Sequence, residues 1–484
     1  MRIVVIGYGM AGARLASELR ARSPELDVTA IGAEPFRAYN RILLSSVIAG
    51  KVTETDVLLA EPAGRGVVQR LGVEAVAVDR AGRTVSTSDG AAVGYDRLVF
   101  ATGSRALLPP VKGLINDDGA VADRVAPFRT LDDCRRIVAL AAGARRALVL
   151  GGGLLGLEAA PGLAARGLTV TVLHAVGHLM ERQLDPEAST VLVSTLESLG
   201  VGVELGVTTV AVEPAVDGVT GGGEIQAVLS DGRRLAADLL VVACGVRPET
   251  GLAERAGLAV DRAILVDDRM RTSDPRVFAV GDCAEHAGVV GGLVAPAWEQ
   301  ARIAADVITG VRPLARYRPR PPVTRLKAAG IDLATMGDST VSGGDQVTFV
   351  DSARRTYAKL VVREGRLAGA IMLGDNPTVG SVIQLFDRAA PLPADPRALL
   401  LGRAIGGGGV AAPEASPALM PDAAVVCQCN TVTKGSVVGC WRGGARSVAD
   451  VSAGTRATTG CGSCQDTVAG ILSWLHDIDE GGGS

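Results

Sequence analysis

Five of the chain's eight cysteines crowd into one segment, at Cys427, Cys429, Cys440, Cys461 and Cys464. Four of them form a pattern, Cys427-x-Cys429 followed by Cys461-x-x-Cys464. Thiolate sulfur is a soft ligand, and four such groups suit either an iron–sulfur cluster of the [2Fe–2S] type or a structural zinc ion. Zinc sites more often use two Cys-x-x-Cys knuckles, so the Cys-x-Cys pair points to iron. In a chain read as cytoplasmic, such a group binds metal rather than forming disulfides. Cys440 does not fit the spacing. Like Cys134, Cys244 and Cys283, it is expected to be a buried, small apolar residue.

Glycine carries the second kind of chemistry. Gly7, Gly9, Met10, Ala11 and Gly12 follow an apolar β-branched run and open an alanine- and leucine-rich helical pattern. Glycine permits the tight turn, lets a pyrophosphate approach the backbone, and packs helix on strand. The helix N-terminus then turns its partial positive charge to the phosphates. Glu34 closes the next strand and can accept hydrogen bonds from both hydroxyls of an adenosine ribose. Gly151, Gly153, Leu154, Leu155 and Gly156 repeat the arrangement after a second strand. Each turn is followed by a further strand, at 28–31 and 169–173, so each is a βαβ unit. Two dinucleotide sites are expected in one chain.

Two further turns decide which dinucleotides. Ala101-Thr102-Gly103-Ser104 ends one strand and Gly281-Asp282 ends another. With these in order, residues 1 to 310 resemble the flavoprotein disulfide reductase superfamily, which has two dinucleotide domains. The resemblance implies FAD in the first site, with the Thr-Gly turn near the flavin nucleotide and the Asp282 carboxylate on the ribityl chain. It implies NAD(P)H in the second, with the turn at Gly245 near the nicotinamide. His174 stands where NAD-type members have a carboxylate. A neutral imidazole cannot grip both ribose hydroxyls, and no arginine sits beside it to hold a 2′-phosphate. NADH is favoured and NADPH stays open.

Classical members reduce disulfides with a Cys-x4-Cys pair near residue 40. Residues 39–46 of this chain contain no sulfur. Without a thiolate there, thiol or peroxide chemistry at the flavin has no nucleophile. Rubredoxin- and ferredoxin-type reductases carry a lysine in this segment, and Arg41 takes its place. Its permanent charge would favour an anionic reduced flavin, with Glu158 pairing to it and orienting the nicotinamide. Equally, Arg41 would bind a phosphate or cap a helix.

The stretch Thr458-Thr459-Gly460-Cys461-Gly462-Ser463-Cys464 gives residues 424–476 a close resemblance to the bacterioferritin-associated-ferredoxin-like [2Fe–2S] domain. The whole is similar to the electron-transfer subunits of assimilatory nitrate reductases and to the N-terminal part of NAD(P)H nitrite reductase large subunits. A nicotinamide delivers two electrons and a [2Fe–2S] centre carries one, so a flavin belongs between them. The implied order is NAD(P)H, FAD, cluster, then the catalytic subunit of an assimilatory nitrate reductase or a nitrite reductase. The sequence ends after the cluster module, so a siroheme site for nitrite itself is not expected. Two alternatives remain: a ferredoxin- or rubredoxin-reductase type with another acceptor, and a flavin reductase whose last module only docks partners.

The elements that must position these residues form an α/β chain. Two Rossmann-like dinucleotide-binding domains are expected, one discontinuous over 1–115 and 250–315 for FAD, the other over 116–249 for NAD(P)H. Short alternating strands and one helix suggest a small α+β domain at 318–389. A Pro-, Ala- and Gly-rich stretch at 390–423 reads as a mobile linker. The small helical cluster module and a tail at 477–484 follow. With 484 residues and 48% apolar content, several cores are affordable. A net charge of −3 leaves no broad basic field for nucleic acid, and 3% aromatic residues offer few stacking platforms. No run reaches the roughly 20 apolar residues of a membrane span, and the first residues lead directly into a strand without a signal peptide. The expectation is a cytoplasmic protein with neither nucleic acid nor membrane as partner.

Overall fold

The strand Arg2–Ile6 is buried from Ile3 onward on both faces, as its unbroken β-branched run requires. It lies at the centre of a five-stranded parallel sheet in the order Val277–Ala279, Arg97–Phe100, Arg2–Ile6, Asp27–Gly32, Val67–Leu71. A second five-stranded parallel sheet has the same build. Its order is Val201–Leu205, Thr169–His174, Arg146–Leu150, Leu239–Val242, Val125–Pro127. In both, the strand before the glycine turn pairs with the strand after the helix, Arg2 opposite Asp27 and Arg146 opposite Thr169. The computed structural model describes residues 1–59, 66–215, 224–328, 330–340, 343–401, 417–427, 430, 432–459 and 464–481.

The helix Met10–Arg22 buries Leu15, Ala16 and Leu19 against Ala301, Ala304 and Ala305 of the helix Val294–Thr309. Small residues on the facing surface let the two helices approach closely. The helix Leu154–Ala164 packs against the short helix Leu44–Ile48, which follows the segment bearing Arg41. A short antiparallel pair, Ser104–Ala106 with Val246–Pro248, ties the two dinucleotide units together at the strand ends.

The small α+β unit is a five-stranded antiparallel sheet in the order Val323–Ala328, Ile331–Gly337, Arg366–Leu373, Thr356–Arg363, Asp345–Asp351. The helix Val379–Asp387 covers one face. The strand Val323–Ala328, which contains Arg325 and Leu326, opens this unit.

The expected linker needs correcting. Leu392, Leu399 and Leu400 pack on the core of this small unit, and Thr378 donates a hydrogen bond to the Leu399 carbonyl at 2.6 Å. The first part of 390–423 is therefore anchored by apolar burial. The glycines at 406–409 lie outside the described residues. The expected tail from 477 is likewise corrected, because the helix Gln465–Gly481 continues past it. That helix buries Val468, Ile471, Leu472 and Leu475 on one face, against Val437 and Trp441 of the helix Lys434–Arg442 and Val451 of the helix Val448–Thr455. Among the described residues, no helix is long and apolar enough to cross a membrane.

One carboxylate fastens the small unit to the second dinucleotide unit. Asp185 caps the helix Pro186–Ser198 by accepting from Ala188 N at 2.9 Å. Its other oxygen accepts from Tyr357 Oη and Lys359 Nζ, each at 2.9 Å. Asp185→Ala removes a cap and strands a poorly exposed ammonium, so it should destabilise the chain by about 3 kcal/mol. A thermal melt checks this: a marked fall in midpoint is expected, and the Asp185→Asn variant should fall in between.

Candidate active site

At both glycine turns backbone meets backbone. A Cβ on Gly7 would lie 2.2 Å from the Ala101 carbonyl oxygen, and one on Gly12 would lie 2.0 Å from the Gly7 carbonyl oxygen. The second turn repeats this, with 2.4 Å from Gly151 to Ala243 O and 2.0 Å from Gly156 to Gly151 O. Gly7 and Gly151 also have positive φ, 102° and 117°, which side chains rarely adopt. Gly7, Gly12 and Gly156 sit behind the site and shape it, while Gly151 also lines it.

The other residues assigned to the two nucleotides line a single cleft of about 1360 Å³. Gly9, Met10 and Ala11 form one end, and Gly151, Gly153, Leu154 and Leu155 the other. Glu34, Arg41, Ala101, Thr102, Gly103, Gly281 and Asp282 border the first end, and Glu158, His174 and Gly245 border the second. The helices that start at Met10 and Leu154 have glycine at the N-cap and no side-chain cap, so no side chain competes for their first N–H groups. Several other helix starts are capped by a side chain, as at Thr130, Asp185 and Ser447, while those after Leu293 and Thr378 are not. Two uncapped helix N-termini facing one cleft fit two pyrophosphates.

The polar groups of the first end pair with one another. Arg41 forms an ion pair with Glu34, donates to the Arg129 carbonyl at 3.2 Å, and stacks over Tyr39 with its guanidinium 4.8 Å from the ring centre. Tyr39 Oη donates to Glu34 Oε2 at 2.6 Å and accepts from Leu131 N at 3.0 Å. Burial would lower the Arg41 pKa, but Tyr39 and Glu34 outweigh it and raise it, so the charge is secure. Asp282 accepts from Arg129 at 2.6 Å and from Ser104 at 2.9 Å. Arg129 and Tyr39 escape sequence reasoning. Each owes its place to a neighbour with a clear signal, the capping box at Thr130 and the segment around Arg41.

The expected pairing of Arg41 with Glu158 is not found, because Glu34 lies closer and takes the guanidinium. Glu158 instead meets Ser45, and burial pushes its carboxyl up to about 7. His174 is buried. Its Nδ1 accepts from Gly152 N at 3.2 Å, and its Nε2 lies 3.3 Å from Glu181. The missing carboxylate at this strand end is thus supplied nearby by Glu181. Arg182, a kind of residue not expected here, lines the same wall. Cys244 also departs from expectation. It is only half-buried and borders the cleft, but burial pushes its thiol up to about 11, so it is a poor nucleophile at neutral pH. Cys440 is half-buried too, while Cys134 and Cys283 are buried.

In the cysteine module the hairpin Val425–Cys427 with Val432–Thr433 and the start of the helix Gln465–Gly481 bring Cys427 and Cys464 together. Thr458 N donates to Cys464 Sγ at 3.2 Å, and Asn430 Nδ2 to Cys427 Sγ at 3.8 Å. The neighbouring Cys464, helped by these N–H donors, brings the Cys427 thiol down to about 6. Sulfur atoms set among N–H donors at a helix start fit thiolate ligands of a cluster. Cys429 and Cys461 lie outside the described residues.

Comparison with known proteins agrees with this geometry. Residues 1–306 match the model of the pyridine nucleotide-disulphide oxidoreductase family. Residues 322–384 match the rubredoxin NAD+ reductase C-terminal domain, and residues 425–474 the BFD-like [2Fe–2S] binding domain. The assimilatory nitrate reductase electron transfer subunit of Bacillus subtilis (strain 168) is 35% identical over 99% of this chain and 60% of its own length. The nitrite reductase (NADH) large subunit of Escherichia coli (strain K12) is 34% identical over 98% of this chain and 55% of its own. The chain therefore spans little more than half the length of these relatives. A solved covalent putidaredoxin reductase–putidaredoxin complex superposes with a TM-score of 0.72 at 29% identity, over 82% of this chain and 95% of the other. The chain belongs to the pyridine nucleotide-disulphide oxidoreductase family and is an NAD(P)H-dependent FAD oxidoreductase that also carries a [2Fe–2S] domain.

Proposed function

We propose that the chain passes electrons from NADH, or from NADPH, through FAD and its own cluster to an assimilatory nitrate reductase catalytic subunit or a nitrite reductase. The observation that carries this is the cleft's sulfur chemistry: residues 39–46 hold no cysteine, and Cys244, the one cysteine bordering the cleft among the described residues, has a thiol raised to about 11. When bound, the flavin takes a hydride from the nicotinamide and gives electrons up singly, and the cluster carries one at a time. The likeness of residues 322–384 to rubredoxin reductases and of the fold to putidaredoxin reductase supports a second reading, in which the acceptor is a small one-electron carrier protein.

On this reading residues 1–115 and 250–315 hold FAD and 116–249 hold the nicotinamide. Glu34 takes the adenosine ribose hydroxyls, with Tyr39 fixing its carboxylate. Asp282, held by Arg129 and Ser104, orients the ribityl hydroxyls. Arg41, its charge secured by Glu34 and Tyr39, would hold positive charge on the wall of the FAD site. Glu158, protonated near neutrality, donates a hydrogen bond that orients the nicotinamide amide. His174 with Glu181 binds the second ribose. Cys427, Cys429, Cys461 and Cys464 are the cluster ligands.

Cysteine replacement tests the relay. Cys427→Ser or Cys464→Ser should leave reduction of the flavin by NADH intact, abolish the iron signal, and stop delivery to the physiological acceptor. Undiminished delivery would mean that the module only docks partners. Parent protein with a pure flavin absorbance spectrum, no iron and one zinc per chain would replace the cluster by a structural metal.

Glu158 gives a pH test. Its folded pKa is raised from 4.5 to about 7. Between these values the unfolded chain releases a proton that the folded chain keeps, so stability falls as pH rises through the window. Glu158→Gln has no such loss. Its stability relative to the parent should rise from pH 5 to 8, by about 2 kcal/mol once water access is allowed for, read as a rising difference in melting midpoint. A pH-independent difference between the two would place an ionised carboxylate in the cleft instead.

A further inference from the structure

The cysteine module is seated on the wall of the first nucleotide site by a strip of polar contacts. Asn40, only 2% exposed, uses both ends of its amide. Its Oδ1 accepts from Ile42 N at 3.1 Å, which shapes the turn Arg41–Leu43 and so sets Arg41 in the cleft. Its Nδ2 donates to the Thr459 carbonyl at 3.1 Å. Thr459 directly precedes Gly460 and Cys461 in the chain. One buried side chain thus joins the flavin-side turn to the residue that leads into the second cysteine pair in sequence.

A matching contact runs the other way. Asn430, next to Cys429, points its Nδ2 at Cys427 Sγ and at Thr459 Oγ1, 3.8 and 3.2 Å away. Its Oδ1 accepts from Arg14 Nη1 at 3.0 Å. Arg14 lies on the helix that opens the first site and stacks on Trp298 at 5.4 Å from the ring centre. Trp298 Nε1 donates to the carbonyl of Met10, which lines the cleft, at 3.1 Å. Glu18, on the same helix, pairs with Arg14 at 2.6 Å and faces Arg456 of the module at 3.9 Å. Val425, Val426 and Thr467 of the module border the cleft itself.

These contacts are unlike a tether. Buried asparagine amides must be satisfied, and each of these two satisfies one end within its own half and the other end across the contact. The joined loops are those next to the cysteines, not the back of the module. Electron transfer weakens steeply with distance, so a contact of this kind decides where electrons leave.

We propose that the strip formed by Asn40 and Arg14 with Thr459 and Asn430 is the electron-handover interface, holding the cysteine loops docked against the flavin site within one chain. The inference rests on the relay under Proposed function and adds its route. Each nicotinamide supplies two electrons and one proton to the flavin. The electrons cross the strip in two single transfers to the cluster, a one-electron acceptor protein removes each in turn, and the one proton returns to water. Asn40 and Arg14 are positioning residues, since neither is placed in contact with a reacting atom.

The test uses the full holoprotein with two variants. Asn40→Asp keeps the acceptor for Ile42 N and loses the donor to Thr459. Arg14→Gln loosens the second contact without touching the turn. Flavin bleaching by NADH and growth of the reduced-cluster signal are followed anaerobically by stopped-flow and freeze-quench EPR. Hydrogen exchange of the amides around Asn40 and Thr459 reports docking. The expectation is bleaching within about twofold of the parent, cluster reduction slowed at least about tenfold, and faster exchange at both amide groups. Faster exchange with undiminished cluster reduction would overturn the inference, as would equal slowing of both steps. A parent protein whose cluster is never reduced by NADH would sink the relay itself, which is a distinct result.

Discussion

At each of the two glycine turns one backbone lies against another with no room for a methyl group between them. Gly7 meets Ala101, and Gly151 meets Ala243. Each contact locks the end of one parallel strand to the start of a helix and to the end of the neighbouring strand. Any side chain there would push the strand–helix unit open and turn the helix N-terminus away from its phosphate. Because the two sheets have the same strand order, both turns open in the same sense. The short antiparallel pair between 104–106 and 246–248 then faces them into one cleft. One cleft bordered by both turns is what hydride transfer between two bound nucleotides needs.

That geometry says what the cleft receives; the sulfur says how electrons leave. The cysteine bordering the cleft is held protonated, and the position near Arg41 has no thiol. In the proposed relay, reducing power cannot be stored as a dithiol and must go on to the cluster. The module that would hold it is built around its own apolar core, yet its cysteine loops are fastened to the flavoprotein by buried amides. Independent packing with polar attachment suits a unit that was added to a reductase and then fitted to one exit.

Most of this was legible before any coordinates. The glycine turns and the parallel strands show in sequence because close backbone approach admits only glycine, and two-sided burial demands β-branched runs. The cysteine spacing shows for the same kind of reason, since metal ligands tolerate few substitutes. What stayed hidden depends on tertiary partners. Glu158 was expected at Arg41, but nothing in its local sequence reveals that Glu34, folded back from the second strand, is nearer. Glu181 reaches His174 from the following loop, and a strand-end rule cannot see it. Asn40 reads as an ordinary helix-turn cap, and its second bond to Thr459 spans the length of the chain. The stretch after 390 looked like a linker on composition, yet three leucines suffice to fasten its first part.

The central claim is that a pair of electrons entering from a nicotinamide leaves through an iron–sulfur centre of the same chain. Anaerobic titration of the purified full chain with NADH, followed by absorbance and EPR, tests it most directly. The account predicts flavin bleaching together with the paramagnetic signal of a reduced [2Fe–2S] centre, with more than two electrons taken up per chain. Bleaching that ends at two electrons, with no paramagnetic iron, would contradict it.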